Sequence, residues 1–208
     1  MKEKPEPARH STAIHEAGHA VVSYVLGRRV MHAVLFDDRR GEVMPECAAC
    51  DTCISYYKSF KEPVDAMHWK HIEDDLRRDI AIAIAGEIAE TEICGDHYID
   101  EGELRQDRAL SQCRVSLIHY RRERKCLWEV FKESCRVCDD YLTLMREKMQ
   151  IIRQPPIRTA IEEFAEQLEQ RENHQQMDEK TIDRFLEAGG LTQGSAFDSL
   201  PESSKIMT

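Results

Sequence analysis

The stretch Ser11-Thr12-Ala13-Ile14-His15-Glu16-Ala17-Gly18-His19-Ala20-Val21-Val22 places two histidines four residues apart inside an apolar run. On an α-helix, residues i and i+4 lie on one face, one turn apart. His15 and His19 can therefore turn both imidazoles toward one ion. Glu16 sits one step round, within reach of a water on that ion without ligating the ion itself. Two neutral imidazoles, a carboxylate base and a position left for water are the parts of a zinc hydrolase site. A bare His-Glu-x-x-His also recurs by chance, so the flanks matter. Two histidines and a glutamate on so apolar a helix would be costly without a partner. Ser11 or Thr12 can cap the start, and Gly27 falls just past Leu26, the last periodic residue; a helix from about 12 to 26 is expected. Gly18, between the histidines, leaves space for close helix packing or for an incoming chain.

The rest of the chain reads as mainly α, with a small β component. Residues 30–36 are rich in branched and apolar side chains and predict a strand; 37–41 form a turn, and 42–45 a short second strand stopped by Pro45. The edge of such a sheet can pair with an extended peptide, or the sheet can simply cover the helix. A long helix is expected over 65–93, where Ile72, Leu76, Ile80, Ile84 and Ile88 recur every fourth residue. Further helices are expected near 106–120, 126–152, 157–171 and 179–186, the last capped by Asp178 and closed by Gly189-Gly190. The organisation is a loose leader over 1–10, one α+β domain over 11–190, and a disordered tail over 191–208, where Ser, Gly and Pro accumulate.

Charge narrows the partners. The net charge is −10, which argues against nucleic acid, since phosphate binding needs a basic face. The local run His119-Tyr120-Arg121-Arg122-Glu123-Arg124-Lys125 reads as a solvated helix face. Apolar runs such as 80–85 are far shorter than the roughly 20 residues that cross a bilayer, and the polar N-terminus lacks a signal-peptide core. No membrane association and a cytoplasmic location are expected, with the eight cysteines as thiols. Cys47-x-x-Cys50-x-x-Cys53 and Cys135-x-x-Cys138 have thiolate-metal spacing, and together could hold a second, structural zinc. The other readings are that Cys135 and Cys138 are small core residues on one helix face, and that the three-cysteine loop is a redox sensor.

A catalytic zinc needs three protein ligands and one open position. No third histidine follows His19 within a few residues; the carboxylate candidates are Asp100, Glu101, Glu103 and Asp107.

At these residues the chain resembles the FtsH-type zinc metalloproteases. Residues 12–22 look like their motif helix. Ile84-Ala85-Gly86-Glu87-Ile88-Ala89-Glu90 resembles their apolar helix with an A/G-G-x-x-A-E pattern, which ends in a glycine, as Gly95 does here. In that family a short loop, a glycine and a helix-opening aspartate follow, and the aspartate is the third zinc ligand. Gly102 and Asp107, followed by Arg108-Ala109-Leu110, are the nearest counterparts. The match needs one extra residue between glycine and aspartate, and Ser111 stands where the family has alanine. Glu103-Leu104 is the rival placement; residue type and helix-start position favour Asp107. Residues 177–182 resemble the family's late short helix.

The resemblance implies a zincin-like helical peptidase domain with a small sheet beside the motif helix. It implies Zn2+ held by His15, His19 and Asp107, Glu16 as general base, and a protein or peptide substrate. The family's ATPase module and membrane anchors have no counterpart in these residues. A stand-alone, soluble, ATP-independent zinc metalloendopeptidase acting on unstructured or extended segments is therefore expected. Family members assemble as rings, so a homo-oligomer is compatible with the reading. The alternative is a catalytically silent zincin-like binding or regulatory module with a structural metal. An intact Glu16 favours the enzyme, because a purely structural site needs no base.

Overall fold

The computed structural model describes residues 7–36, 40–46, 66–95, 143 and 149–200. Helix α1 spans Pro7–Val25. It opens earlier than expected, at a proline whose fixed φ and missing N–H suit a first turn. Part of the expected leader is therefore helical, and Ser11 and Thr12 lie inside the helix rather than at its cap. Its end is where the glycine predicted it. Gly27 adopts φ +86°, its N–H donates to the Tyr24 carbonyl at 2.9 Å, and the Arg28 N–H reaches back to Ser23 at 2.8 Å. This left-handed closure satisfies carbonyls that the helix leaves without partners.

Strands β1 (Val30–Leu35) and β2 (Gly41–Pro45) pair antiparallel, with Leu35 opposite Gly41, Ala33 opposite Val43 and Val30 opposite Pro45. A register shift between Val30 and His32 puts Val30, Ala33 and Leu35 together on the buried side. The Phe36 N–H closes the connection by donating to the Arg40 carbonyl at 2.8 Å. A third strand, β3 (Met177–Asp178), pairs with β1 on its other side, through Ala33 and His32, so the order is β2-β1-β3. Two residues are too few to show a period of two, which is why these residues read as part of the late helix alone.

Helix α2 covers Ala66–Cys94, close to the expected 65–93. Ile80, Ile84, Ile88 and the alanines at 81, 85 and 89 are buried in one core with Ile14, Ala17 and Val21 of α1. Gly18 settles as a packing residue: a Cβ there would stand 2.7 Å from the Ala89 Cβ and 2.8 Å from the Ala85 carbonyl oxygen. Helix α3 (Pro155–Glu169) buries Ile157, Ile161, Phe164 and Leu168, one apolar face at helical spacing. Helix α4 (Glu179–Ala188) starts at the expected cap, the Asp178 side chain accepting from the Thr181 N–H at 2.9 Å. That bond holds the Asp178 carboxyl below its ordinary pKa. The cap's contribution is thus present above the unfolded pKa and is lost as pH falls through the depressed value. α1 packs against α2, α3, β1 and β2, which makes it the centre of a mainly helical α+β fold with a small antiparallel sheet. No helix among the described residues is long and apolar enough to cross a membrane.

Residues 191–200, expected within a disordered tail, are folded. The Gly194 N–H donates to the Tyr24 carbonyl at 3.1 Å and the Ala196 N–H to Val25 at 2.9 Å, which caps the end of α1. Arg77 donates to the Leu200 carbonyl at 2.8 Å. The Arg77 and Arg78 guanidiniums lie 5.2 and 3.9 Å from the centre of the Phe197 ring. Polar composition hid this segment because helix-end carbonyls and two arginines hold it together with three scattered buried side chains, Leu191, Ala196 and Leu200. Phe197→Ala should destabilise the chain by about 1–2 kcal/mol, a fall of roughly 2–8 °C in melting temperature. A thermal melt superimposable on wild type would show that the stack contributes nothing. Of the helix expected over 126–152, the described end is a 3-10 turn, Gln150–Arg153, that buries Ile151 and Ile152. The helix expected near 106–120 lies outside the described residues.

Candidate metal centre

The i, i+4 spacing does what the sequence required of it. His15 and His19 leave the side of α1 that faces α2, with ring centroids 4.8 Å apart and planes at 75°. Their Nε2 atoms are 3.1 Å apart.

The other nitrogen of each ring is engaged by α2. His19 Nδ1 lies 2.7 Å from the Ile82 carbonyl oxygen. A carbonyl only accepts, so this Nδ1 carries the proton. His15 Nδ1 lies 3.2 Å from Glu90 Oε2, with both side chains 4% exposed. The carboxylate is again an acceptor. In neutral rings these partners put a lone pair on each Nε2. Two lone pairs converging at 3.1 Å repel unless a cation or a proton sits between them. Two imidazole nitrogens on one tetrahedral zinc, with Zn–N of roughly 2.0–2.1 Å, stand about 3.3 Å apart. The pair therefore fits a shared metal ion.

α2 also supplies the space. A Cβ at Gly86 would stand 2.6 Å from His15 Nε2 and 2.6 Å from His19 Nε2. Only a glycine leaves the helix backbone this close to the converging nitrogens. Glu16 points another way, as its 100° step around α1 dictates. It is 5% exposed and lies against β2, where a Cβ at Gly41 would be 2.8 Å from its Cδ and Oε1. Glu16 and the two histidines thus occupy adjacent faces of one helix, one backed by the sheet and the other by α2.

Glu90 is the residue of this candidate centre that motif reading left without a role. One oxygen faces His15 and the other accepts from the Ser11 hydroxyl, so the carboxylate is tied at both ends while 3% exposed. A signal was present: like the histidines, a carboxylate following the apolar run 80–85 on a buried helix requires a partner. Glu90→Gln should weaken zinc binding by about 10–100-fold by loosening the His15 tautomer and orientation. Competition against a chelating dye measures this; unchanged affinity would remove Glu90 from the centre.

Other sequence-marked residues fall elsewhere. Asp107, its rival Glu103, Asp100 and Glu101 lie outside the described residues, as do Cys47, Cys50, Cys53, Cys135 and Cys138. Among the described residues, no group of three His, Cys, Asp or Glu side chains gathers as a metal site. Cys94 packs against the core, and burial, together with Glu90 and Glu169, pushes its thiol pKa up, while a hydrogen bond with Ser11 opposes the shift. His10 faces Glu169 at 3.2 Å, His32 faces Glu42 at 3.0 Å, and the His174 ring packs on Phe36. Strand β1 has neighbours on both sides at His32 and Ala33. Among the described residues, β2 carries the sheet edge beside Glu16.

Comparison of the chain with protein-family models and with curated proteins finds no match.

Proposed function

We propose that this chain is a zincin-like peptidase domain, an ATP-independent zinc metalloendopeptidase that hydrolyses peptide bonds in unstructured or extended segments. One observation carries the reading. Two buttressed imidazoles bring Nε2 atoms to 3.1 Å while a buried carboxylate occupies the next position on the same helix. The resemblance of residues 12–22 and 84–90 to the FtsH-type proteases supports the same conclusion. The ion would be held by His15 and His19, with Asp107 as the third ligand.

A zinc ion in this place supplies Lewis acidity, which acidifies water and polarises a scissile carbonyl. Glu16 takes the proton of the attacking water and returns it to the leaving amine. Glu90 and the Ile82 carbonyl keep both imidazoles in the tautomer that donates from Nδ1. The edge of β2 offers backbone N–H and C=O groups to a strand laid beside it. That mode of recognition accepts extended chain and rejects segments already folded. The cysteine content fits a reducing compartment, and we place the protein in the cytoplasm.

The test is cleavage of a denatured protein by zinc-loaded chain, with and without a chelator. Hydrolysis that stops with the chelator and returns with zinc is the expected result. Chain that carries stoichiometric zinc and cleaves nothing would overturn the enzyme and leave the silent, metal-bearing module.

A further inference from the structure

Gly41 has no conformational reason to be glycine. It opens β2 opposite Leu35, and its φ is not in the left-handed region that Gly27, Gly95, Gly190 and Gly194 occupy. A glycine in a strand weakens it, having no side chain to pack and more backbone freedom to lose. What excludes a side chain is space. A Cβ at this position would stand 2.8 Å from Glu16 Cδ and Oε1 and closer still to Cγ. Glu16, 5% exposed, is wedged between its own helix and this strand.

We infer that Gly41 is a positioning residue for Glu16: the bare backbone of β2 is the wall against which the carboxylate rests, and the missing Cβ selects the conformation of the base. The inference rests on the metallopeptidase reading and deepens it. Among the described residues, β2 is also an edge strand of the sheet, and it lies against Glu16. Base and bound peptide would then be referenced to one stretch of backbone, so their separation is set by the strand and not by two independent elements. Placement at this level matters, because a misplacement of about 1 Å can cost on the order of 100-fold in rate. A methyl at 41 pushes the carboxylate off the wall. It leaves untouched the His15 and His19 rings, which face α2 from the adjacent face of α1.

The experiment compares Gly41→Ala, Glu16→Asp and the double variant in the zinc-loaded full chain. Gly41→Ala should lower kcat by about 10–100-fold with zinc content and KM close to wild type. Glu16→Asp retracts the carboxylate by one methylene, so it should cost less in the Gly41→Ala background than alone. A second readout needs no activity. In metal-free chain, Gly41→Ala should lower the melting temperature by about 3–10 °C, and adding Glu16→Ala should recover most of that loss by vacating the space. A purely structural glycine would give the same loss in both backgrounds. Wild-type kcat in Gly41→Ala, or additive effects in both cycles, would overturn the inference while an active wild type keeps the peptidase reading. A wild type that cleaves nothing overturns that reading itself, whatever the melting temperatures show.

Discussion

Glu16→Gln is expected to leave zinc bound and to lower kcat by about 100- to 10,000-fold, the range ascribed to a positioned proton acceptor. The amide has nearly the shape of the carboxylate, so the contact with the β2 backbone at Gly41 is kept. The histidine pair lies on the neighbouring face of α1, held by Ile82 and Glu90, and neither contact involves residue 16. What the substitution removes is the ability to take a proton. Zinc stoichiometry and turnover on a denatured protein separate the outcomes. A glutamine variant cutting at the wild-type rate would show that the base lies elsewhere. A variant that loses its zinc would show that Glu16 holds the ion and does not serve as the base.

Gly86→Ala should have the opposite signature, with the metal lost and turnover lost as a consequence. The added methyl would stand 2.6 Å from both Nε2 atoms, well inside contact distance and in the space where the lone pairs converge. Two magnitudes decide what happens to the fold. Alanine in a helix interior is better than glycine by about 1 kcal/mol, which offsets part of the roughly 1–3 kcal/mol that overpacking costs. The helix should therefore persist, with the imidazoles swung apart. Zinc affinity should fall by more than the roughly 10–100-fold expected for Glu90→Gln, because the ligand positions themselves are displaced. Helical circular dichroism at the wild-type level together with a failed zinc titration is the expected pair of results. Wild-type zinc affinity in this variant would refute the shared-ion geometry.

Much of this candidate centre is legible in the sequence alone. The placing of His15 and His19 on one face and Glu16 on the next follows from helical pitch, which needs only that residues 12–22 be helical. The stop at Gly27, the cap at Asp178 and the bounds of α2 follow from equally local rules, and the structure agrees within a residue or two. The start of α1 was placed late because Ser11 and Thr12 look like caps. They are internal, and Ser11 spends its hydroxyl on Glu90. The third strand stayed hidden for a different reason: β3 is two residues long and distant in sequence from β1, with which it pairs.

The amino-acid sequence alone determined which side chains share a helix face, because that depends on a repeat of a few residues. Tertiary structure alone decided what each face meets. His15 finds Glu90 across 75 positions and His19 finds the Ile82 carbonyl across 63. Gly86 and Gly41 are glycines because another element's side chains occupy the space of their Cβ atoms. Such contacts arise from the close packing of helices and strands that local pattern cannot orient against one another.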